Sequence, residues 1–288
     1  MNKKTLAYIL IWLTTLIWGF GYIGVEDAIQ GGWGTFPLIF ARFLIAAIVL
    51  LPFSFKSKWW KNKGLVLEAA LNGLVLFVAY VLQTIGQSMT SIANTSFLTV
   101  MWVVFIPIFL FISTKKKLEI KNYIGVVLAV VGAFVLCSSQ NMTAINLGDV
   151  LVIGGAVCFA IQIIHLERVV LKYDALSVSV VQLFTVSLFG LLGTAFTSSW
   201  NGFGSGGYIG LIYIAVFSSS LGFLFQAYGQ KYIAPTQVAL IFSLESVVAT
   251  IAAALIYQET INEHIIAGGI LMLLATLIVQ IDFKKEIK

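Results

Sequence analysis

The sequence predicts an all-α integral membrane protein, with ten transmembrane helices in two inverted five-helix repeats. Three observations carry that prediction. Hydrophobic residues make up 60% of the 288 and charged residues only 10%, against about 25% charged in an ordinary soluble domain. Lys and Arg gather at every second gap between apolar runs. A short glutamine motif returns 143 residues after its first occurrence, at Gln83 and again at Gln226.

With a mean hydropathy of +1.00 the chain has too little polar surface to cover a water-facing globule. Apolar runs of roughly 17 to 25 residues are long enough to cross a bilayer as helices. They fall at 5–25, 35–54, 65–86, 94–113, 122–138, 148–170, 177–197, 207–229, 235–257 and 264–281. The first follows Lys3 and Lys4, as a secretion signal would. It carries Trp12, Trp18 and Tyr22 and ends in Glu26-Asp27 without a small-residue cleavage pattern, so it is read as a span. Pro37, Pro52 and Pro235 lie near span ends, where a missing backbone donor is harmless, whereas Pro107 lies inside the fourth span and is expected to bend it.

Charge placement sets the expected orientation. With the N-terminus inside, the inner segments hold sixteen of the 17 Lys and Arg, from Lys3 through Lys58, Lys121, Lys172 and Lys231 to Lys288. The outer segments, near 26–34, 87–93, 139–147, 198–206 and 258–263, hold none. That is the positive-inside pattern for ten spans with both termini cytoplasmic. The net charge of +5 is thus accounted for by topology, and no nucleic-acid partner is inferred. The seventeenth cation, Arg42, stands in the apolar stretch Leu38 to Ala47.

The repeat explains the number ten. Gln83-Thr-Ile-Gly86-Gln87 returns as Gln226-Ala-Tyr-Gly229-Gln230, and Ile124-Gly125 returns as Ala267-Gly268 at the same spacing. Two halves, residues 1–140 and 141–288, would hold five spans each. Because five is odd, the second half enters from the opposite face and the repeat is inverted.

Leu16-Ile-Trp18-Gly19-Phe-Gly21-Tyr22, the run beginning Arg42-Phe-Leu-Ile-Ala-Ala, and Tyr257-Gln-Glu259-Thr followed by Ile266-Ala-Gly268-Gly269 resemble the EamA-type branch of the drug/metabolite transporter superfamily. The resemblance covers both halves. It implies a ten-helix secondary transporter, not an enzyme, that moves small metabolites such as amino acids by alternating access, frequently outward, in a membrane such as the bacterial inner membrane. Lys115-Lys116-Lys117 in the first half where the second has Glu259, and Ser246 after Glu245 where Pro is common, are departures that bear on the substrate rather than the architecture.

The candidate site residues are polar and aromatic groups at membrane depth, because an unsatisfied polar group facing lipid costs roughly several kcal/mol. Gln83, Asn94, Gln162, Gln182 and Gln226 are therefore expected to face a cavity or one another. Tyr80 lies three residues before Gln83 and Phe223 three before Gln226, so each pair shares a helix face. Trp18, Tyr22, Tyr80, Gln83, Trp102, Gln162, Gln226 and Glu245 form the expected substrate site. Glu245 is ten residues into the ninth span, near the bilayer middle, and is a candidate for proton coupling, as is His165. Arg42 has two readings: a side chain snorkelling to the headgroups, or a charge partner for a substrate carboxylate or for Glu245.

Rival functions leave no comparable pattern. Gly202-Phe-Gly204-Ser-Gly206-Gly207 has the letters of a dinucleotide loop but follows no strand. No phosphate-binding G-x-x-x-x-G-K-[ST], H-E-x-x-H or G-x-S-x-G occurs, so no cofactor or metal is expected and an ATP motor or embedded hydrolase has no visible machinery. Cys137 and Cys158 read as small hydrophobes. A nucleotide-sugar exchanger of the same superfamily, or a channel, is the alternative. The expected partners are a small solute and the lipid bilayer, with the chain acting as a monomer or homodimer.

Overall fold

The computed structural model describes residues 2–115, 119–138, 146–257 and 263–280. Those residues fold into helices without a strand. Eight stretches are long and apolar enough to cross a membrane: Lys3–Gln30, Thr35–Ser57, Lys63–Gln87, Asn94–Ser113, Leu147–Lys172, Ala175–Phe196, Tyr208–Gln230 and Pro235–Ile256. Two shorter apolar helices, Ile120–Val135 and Ile266–Ile278, occupy the places where the fifth and tenth spans were expected. Asn141, which fits a glycosylation acceptor, and Glu259 lie outside the described residues, as does the side chain of Cys137.

The helices are α1 (Lys3–Gln30), α2 (Thr35–Ser54), α3 (Lys63–Gln87), α4 (Ile92–Thr99), α5 (Trp102–Thr114), α6 (Ile120–Ser138), α7 (Leu147–Lys172) and α8 (Ala175–Phe196). They continue with α9 (Tyr208–Tyr213), a π-helical segment (Ile214–Leu221), α10 (Gly222–Gln230), α11 (Pro235–Phe242), α12 (Glu245–Tyr257) and α13 (Glu263–Gln280). Polar side chains close several helix ends. Asn62 accepts from Leu65 N–H, Asp174 from Ser177 N–H, and Asn146 and Asp149 form a reciprocal capping box at the start of α7. Thr90 also donates to Asp149, so this carboxylate is a buried cap rather than a solvated end group.

Two spans are broken where the continuous apolar pattern gives no warning. The fourth divides at Val100–Met101, where backbone bonds tighten to a three-residue spacing: Met101 N–H to Leu98, Val103 N–H to Val100 and Val104 N–H to Met101. Pro107 sits within α5, so the departure from regular helix lies about one and a half turns before the proline instead of at it. The ninth divides at Ser243–Leu244 without any proline. There Leu244 N–H bonds Ile241, and the Ser243 and Ser246 hydroxyls donate to Leu240 and Ser243 carbonyls, competing with the helical ladder. As a result Trp102 opens α5 and Glu245 opens α12, both deep in the bundle.

Close approach of α1 to α12 depends on Gly19. A Cβ there would lie 2.5 Å from Val248 Cβ and 3.0 Å from the Glu245 carbonyl oxygen, closer than side chains pack. At the other edge α6 and α13 run against each other, with Gly132 against the Gly268 carbonyl. The largest apolar cluster joins α1, α2, α3, α5, α7, α8, α10 and α11 through residues such as Phe43, Leu76, Ile163, Leu183, Phe223 and Phe242.

Gly19→Ala is expected to lower the melting temperature in detergent, since overpacking a tight contact typically costs about 1–3 kcal/mol. An unchanged melting curve would show that α12 can retreat from α1 freely.

Candidate functional site

Between the broken spans lies a cavity lined by Trp18, Gly21, Tyr22, Val25, Arg42, Tyr80, Gln83, Gln87, Thr99, Trp102, Phe159, Ser218 and Glu245. It leaves ≈ 40 Å³ for the centres of water-sized molecules, room for about three waters at roughly 10–15 Å³ each. Aromatic rings form its frame. Tyr80 meets Phe43 and Phe159 edge-on at 4.9 and 5.2 Å, and Trp102 meets Phe159 at 5.7 Å.

Arg42 does not snorkel: it is 5% exposed. Nε donates to Ser219 Oγ at 2.6 Å, and Nη2 donates to Ser218 Oγ at 3.0 Å and to Tyr80 Oη at 3.4 Å. The guanidinium carbon lies 4.6 Å from the centre of the Tyr80 ring and 5.2 Å from that of Phe43, within the range of cation–π attraction. Both serines belong to the π-helical segment, whose wider turn carries them to the same cation. Trp18 Nε1 donates to the Ser218 carbonyl at 2.9 Å, fixing the segment from the α1 side. No carboxylate forms an ion pair with Arg42 among the described residues.

Glu245, 2% exposed, is the complementary case. Tyr22 Oη donates to Glu245 Oε1 at 2.8 Å, and no ion pair to the carboxylate occurs among the described residues. Its place at the start of α12 sets the carboxylate at the positive end of a helix dipole, where negative charge is favoured. The cavity thus holds one buried cation and one buried carboxylate, each held by neutral partners and not joined to the other.

The amides divide into two groups. Gln83 Nε2 donates to Thr99 Oγ1 at 3.0 Å and Gln87 Nε2 to the Tyr22 carbonyl at 3.1 Å, both at the cavity wall. Trp102 Nε1, 2% exposed, has no hydrogen-bond partner among the described residues, leaving a donor unmet at the cavity. Of the residues named from sequence, the structure gathers Trp18, Tyr22, Arg42, Tyr80, Gln83, Trp102 and Glu245 around one space. Gln162 and Gln226 are not there: Gln226 Nε2 donates to Gln162 Oε1 at 3.2 Å, and both are buried away from the cavity. His165 is also elsewhere, its Nδ1 3.1 Å from Asn72 Oδ1. Asn94 turns back to Thr90, and Asn72 Nδ2 bonds Gln182.

Sequence reasoning passed over Thr99, Phe159, Ser218 and Ser219. The one signal available for the serines was the run Ser218-Ser219-Ser220 in the middle of an apolar span, whose hydroxyls need partners there. Gln87 was visible as the second amide of the repeated motif.

The family profile described as the EamA-like transporter family matches residues 5–138 and again 146–281. A protein from Archaeoglobus fulgidus named uncharacterized transporter is 26% identical over 279 residues, covering 97% of this chain and 87% of its own. The Bacillus subtilis uncharacterized transporter YvbV is 24% identical over 294 residues, covering 98% of this chain and 93% of its own. A solved crystal structure superposes with a TM-score of 0.79 at 13% identity, covering 95% of this chain and 96% of the other, a likeness of fold alone.

If the Arg42 charge is kept for a reason other than stability, Arg42→Met should destabilise less than stranding the cation does, because it removes the ion together with its desolvation cost. Ser218→Ala combined with Ser219→Ala, which leaves the cation only Tyr80 and the two ring faces, should cost about 1–3 kcal/mol for each lost partner. Calorimetry or fluorescence melting in detergent compares the two, and a large destabilisation by Arg42→Met would assign Arg42 to the scaffold.

Proposed function

Because the chain belongs to the EamA-like transporter family and is an integral membrane transporter, we propose that it is a secondary carrier of zwitterionic solutes such as amino acids. The observation that carries this reading is that one cavity is lined by a guanidinium, Arg42, and a carboxyl group, Glu245, with no ion pair between them among the described residues. Burying an ion without a countercharge costs several kcal/mol in effective desolvation, and a solute with an anionic and a cationic end supplies both missing partners at once. Arg42 takes the solute carboxylate and Glu245 its ammonium group, while the unmet Trp102 N–H and the Gln83 amide meet the remaining polar atoms.

The carrier reading includes ten spans in two inverted five-helix repeats, residues 1–140 and 141–288, working by alternating access. Its support is an echo between the halves. Gln87, in the third span of one half, donates to the Tyr22 carbonyl of that half's first span, and Gln230 donates to the Ile163 carbonyl in the same relation in the other half. The broken helices echo too, since Trp102 and Glu245 open α5 and α12 at the repeat spacing of 143 residues. Discontinuous helices meeting near the midplane are a recurrent way of building a carrier's site. Transport outward across a bacterial inner membrane, with both termini cytoplasmic, follows the Lys and Arg distribution and the family's general habit.

With no phosphate-binding loop in the sequence, an ion gradient or solute exchange supplies the energy, and Glu245 is the group proposed to carry the proton. Purified protein in liposomes separates this role from simple binding. In Glu245→Gln, solute counterflow should persist at reduced affinity, because the neutral amide oxygen still accepts from the ammonium group, while accumulation driven by a pH gradient disappears. Joint loss of both would make Glu245 an ammonium ligand only, and accumulation with wild-type pH dependence would make it structural.

Orientation has its own test in intact cells, after Cys137 and Cys158 are replaced. An impermeant thiol reagent should modify Ser198→Cys and spare Lys58→Cys. The reverse pattern would invert the proposed topology.

A further inference from the structure

A second polar region lies apart from the cavity, toward the ends of α7 and α10 that carry Lys172 and Lys231. Gln162 (1% exposed), Gln182 (0%), Gln226 (0%) and Gln230 (1%) come from α7, α8 and α10. Each has one bond and one unmet atom among the described residues. Gln226 bonds Gln162, Gln230 bonds the Ile163 carbonyl, and Gln182 accepts from Asn72, which in turn faces His165. Gln162 Nε2, Gln182 Nε2, Gln226 Oε1 and Gln230 Oε1 are left without partners. Exchanging the amide O and N atoms of the Gln162–Gln226 pair keeps one bond and still strands one donor and one acceptor, so the pair is short of partners whichever way both amides point.

Amides serving only to hold helices together have no reason to leave half of their polar atoms unmet, since a buried group without a partner is destabilising. Their place in the repeat suggests another role. Gln83 and Gln87 line the cavity, and Gln226 and Gln230 are the same motif in the second half. In an inverted repeat the two copies of a motif face opposite ends of the molecule. On the carrier reading, the first copy, at the cavity, lies in one half of the solute path, and the second, closed in packing, lies in the other.

We propose that Gln162, Gln182, Gln226 and Gln230 form a second, uncharged polar station on the solute path, hydrated and entered from the lysine-bearing side when the molecule opens there. Two donors and two acceptors without a full charge suit water and the polar ends of a small zwitterion in passage, and not tight retention of an ion. The inference rests on the carrier reading, but not on the identity of the solute.

Accessibility measured without any solute therefore tests it. In protein lacking Cys137 and Cys158, Gln226→Cys and Gln182→Cys are exposed to a small, charged, impermeant methanethiosulfonate in inverted and in right-side-out vesicles. Ala227→Cys, in the apolar cluster beside Gln226, sets the rate for a sealed position. Both glutamine positions should react from the lysine-bearing side at least about tenfold faster than Ala227→Cys, a ratio equivalent to about 1.4 kcal/mol of opening free energy. Reaction from the opposite side should be no faster than at Ala227→Cys. Rates at or below that of Ala227→Cys from the lysine-bearing side would overturn the proposal and leave the amides as sealed packing. If one variant does not fold, the other decides alone. Failure of amino-acid transport with normal accessibility would count against the zwitterion reading and leave the station standing.

Discussion

The contact on which this architecture turns is the one between Arg42 and the hydroxyls of Ser218 and Ser219. A guanidinium cannot shed its charge and cannot be left bare in hydrocarbon, so α2 must present it to something polar. The π-helical segment Ile214–Leu221 supplies that partner, and Trp18 holds the segment in turn through the Ser218 carbonyl. Three elements from both halves of the chain are thereby tied around one charge. Neutral hydroxyls and an aromatic face solvate the cation without cancelling it, which a carboxylate would have done.

The same economy shapes the breaks in the fourth and ninth spans. Inside a bilayer a helix loses backbone bonds only where something else recovers them. At Ser243–Leu244 the recovery is by serine hydroxyls, and at Val100–Met101 it is by tightened three-residue bonds. Each break starts a new helix at a cavity residue, Trp102 or Glu245. Gly19 lets α1 close over the second break, so that Tyr22, three residues further along α1, reaches the Glu245 carboxylate.

Much of this was legible in the sequence, and the parts that were not have identifiable causes. Apolar runs located the eight long spans because hydrophobic length is a property of one segment alone. Arg42 and Glu245 stood out because a charge in an apolar run needs an explanation wherever it lies. The breaks were hidden, since a serine hydroxyl bonding its own helix leaves no mark on hydropathy, and Pro107 drew attention about one and a half turns past the irregularity. Gln83 and Gln226 looked interchangeable because both must avoid lipid. Which neighbour each meets, Thr99 at the cavity or Gln162 away from it, depends on packing between helices far apart in the chain. Two copies of one motif therefore gave one expectation and two environments.

That divergence constrains how the molecule works. A symmetric duplicate folded into a symmetric structure would place both glutamine pairs alike, both at the cavity or both in closed packing. Here one pair faces a space that also holds unjoined charges, while the other is closed around its own unmet amides. The motif itself is shared, so under the carrier reading the asymmetry is one of conformation. Under the carrier reading, exchanging the two environments between the halves yields the opposite-facing form with the same contacts in mirrored roles. Arg42 breaks that equivalence, because the corresponding position at the repeat spacing is Thr185, whose hydroxyl simply returns to the Val181 carbonyl. The amide lining is thus duplicated and free to alternate, whereas the cation is single and must serve both forms, which places the fixed point of the proposed cycle at Arg42.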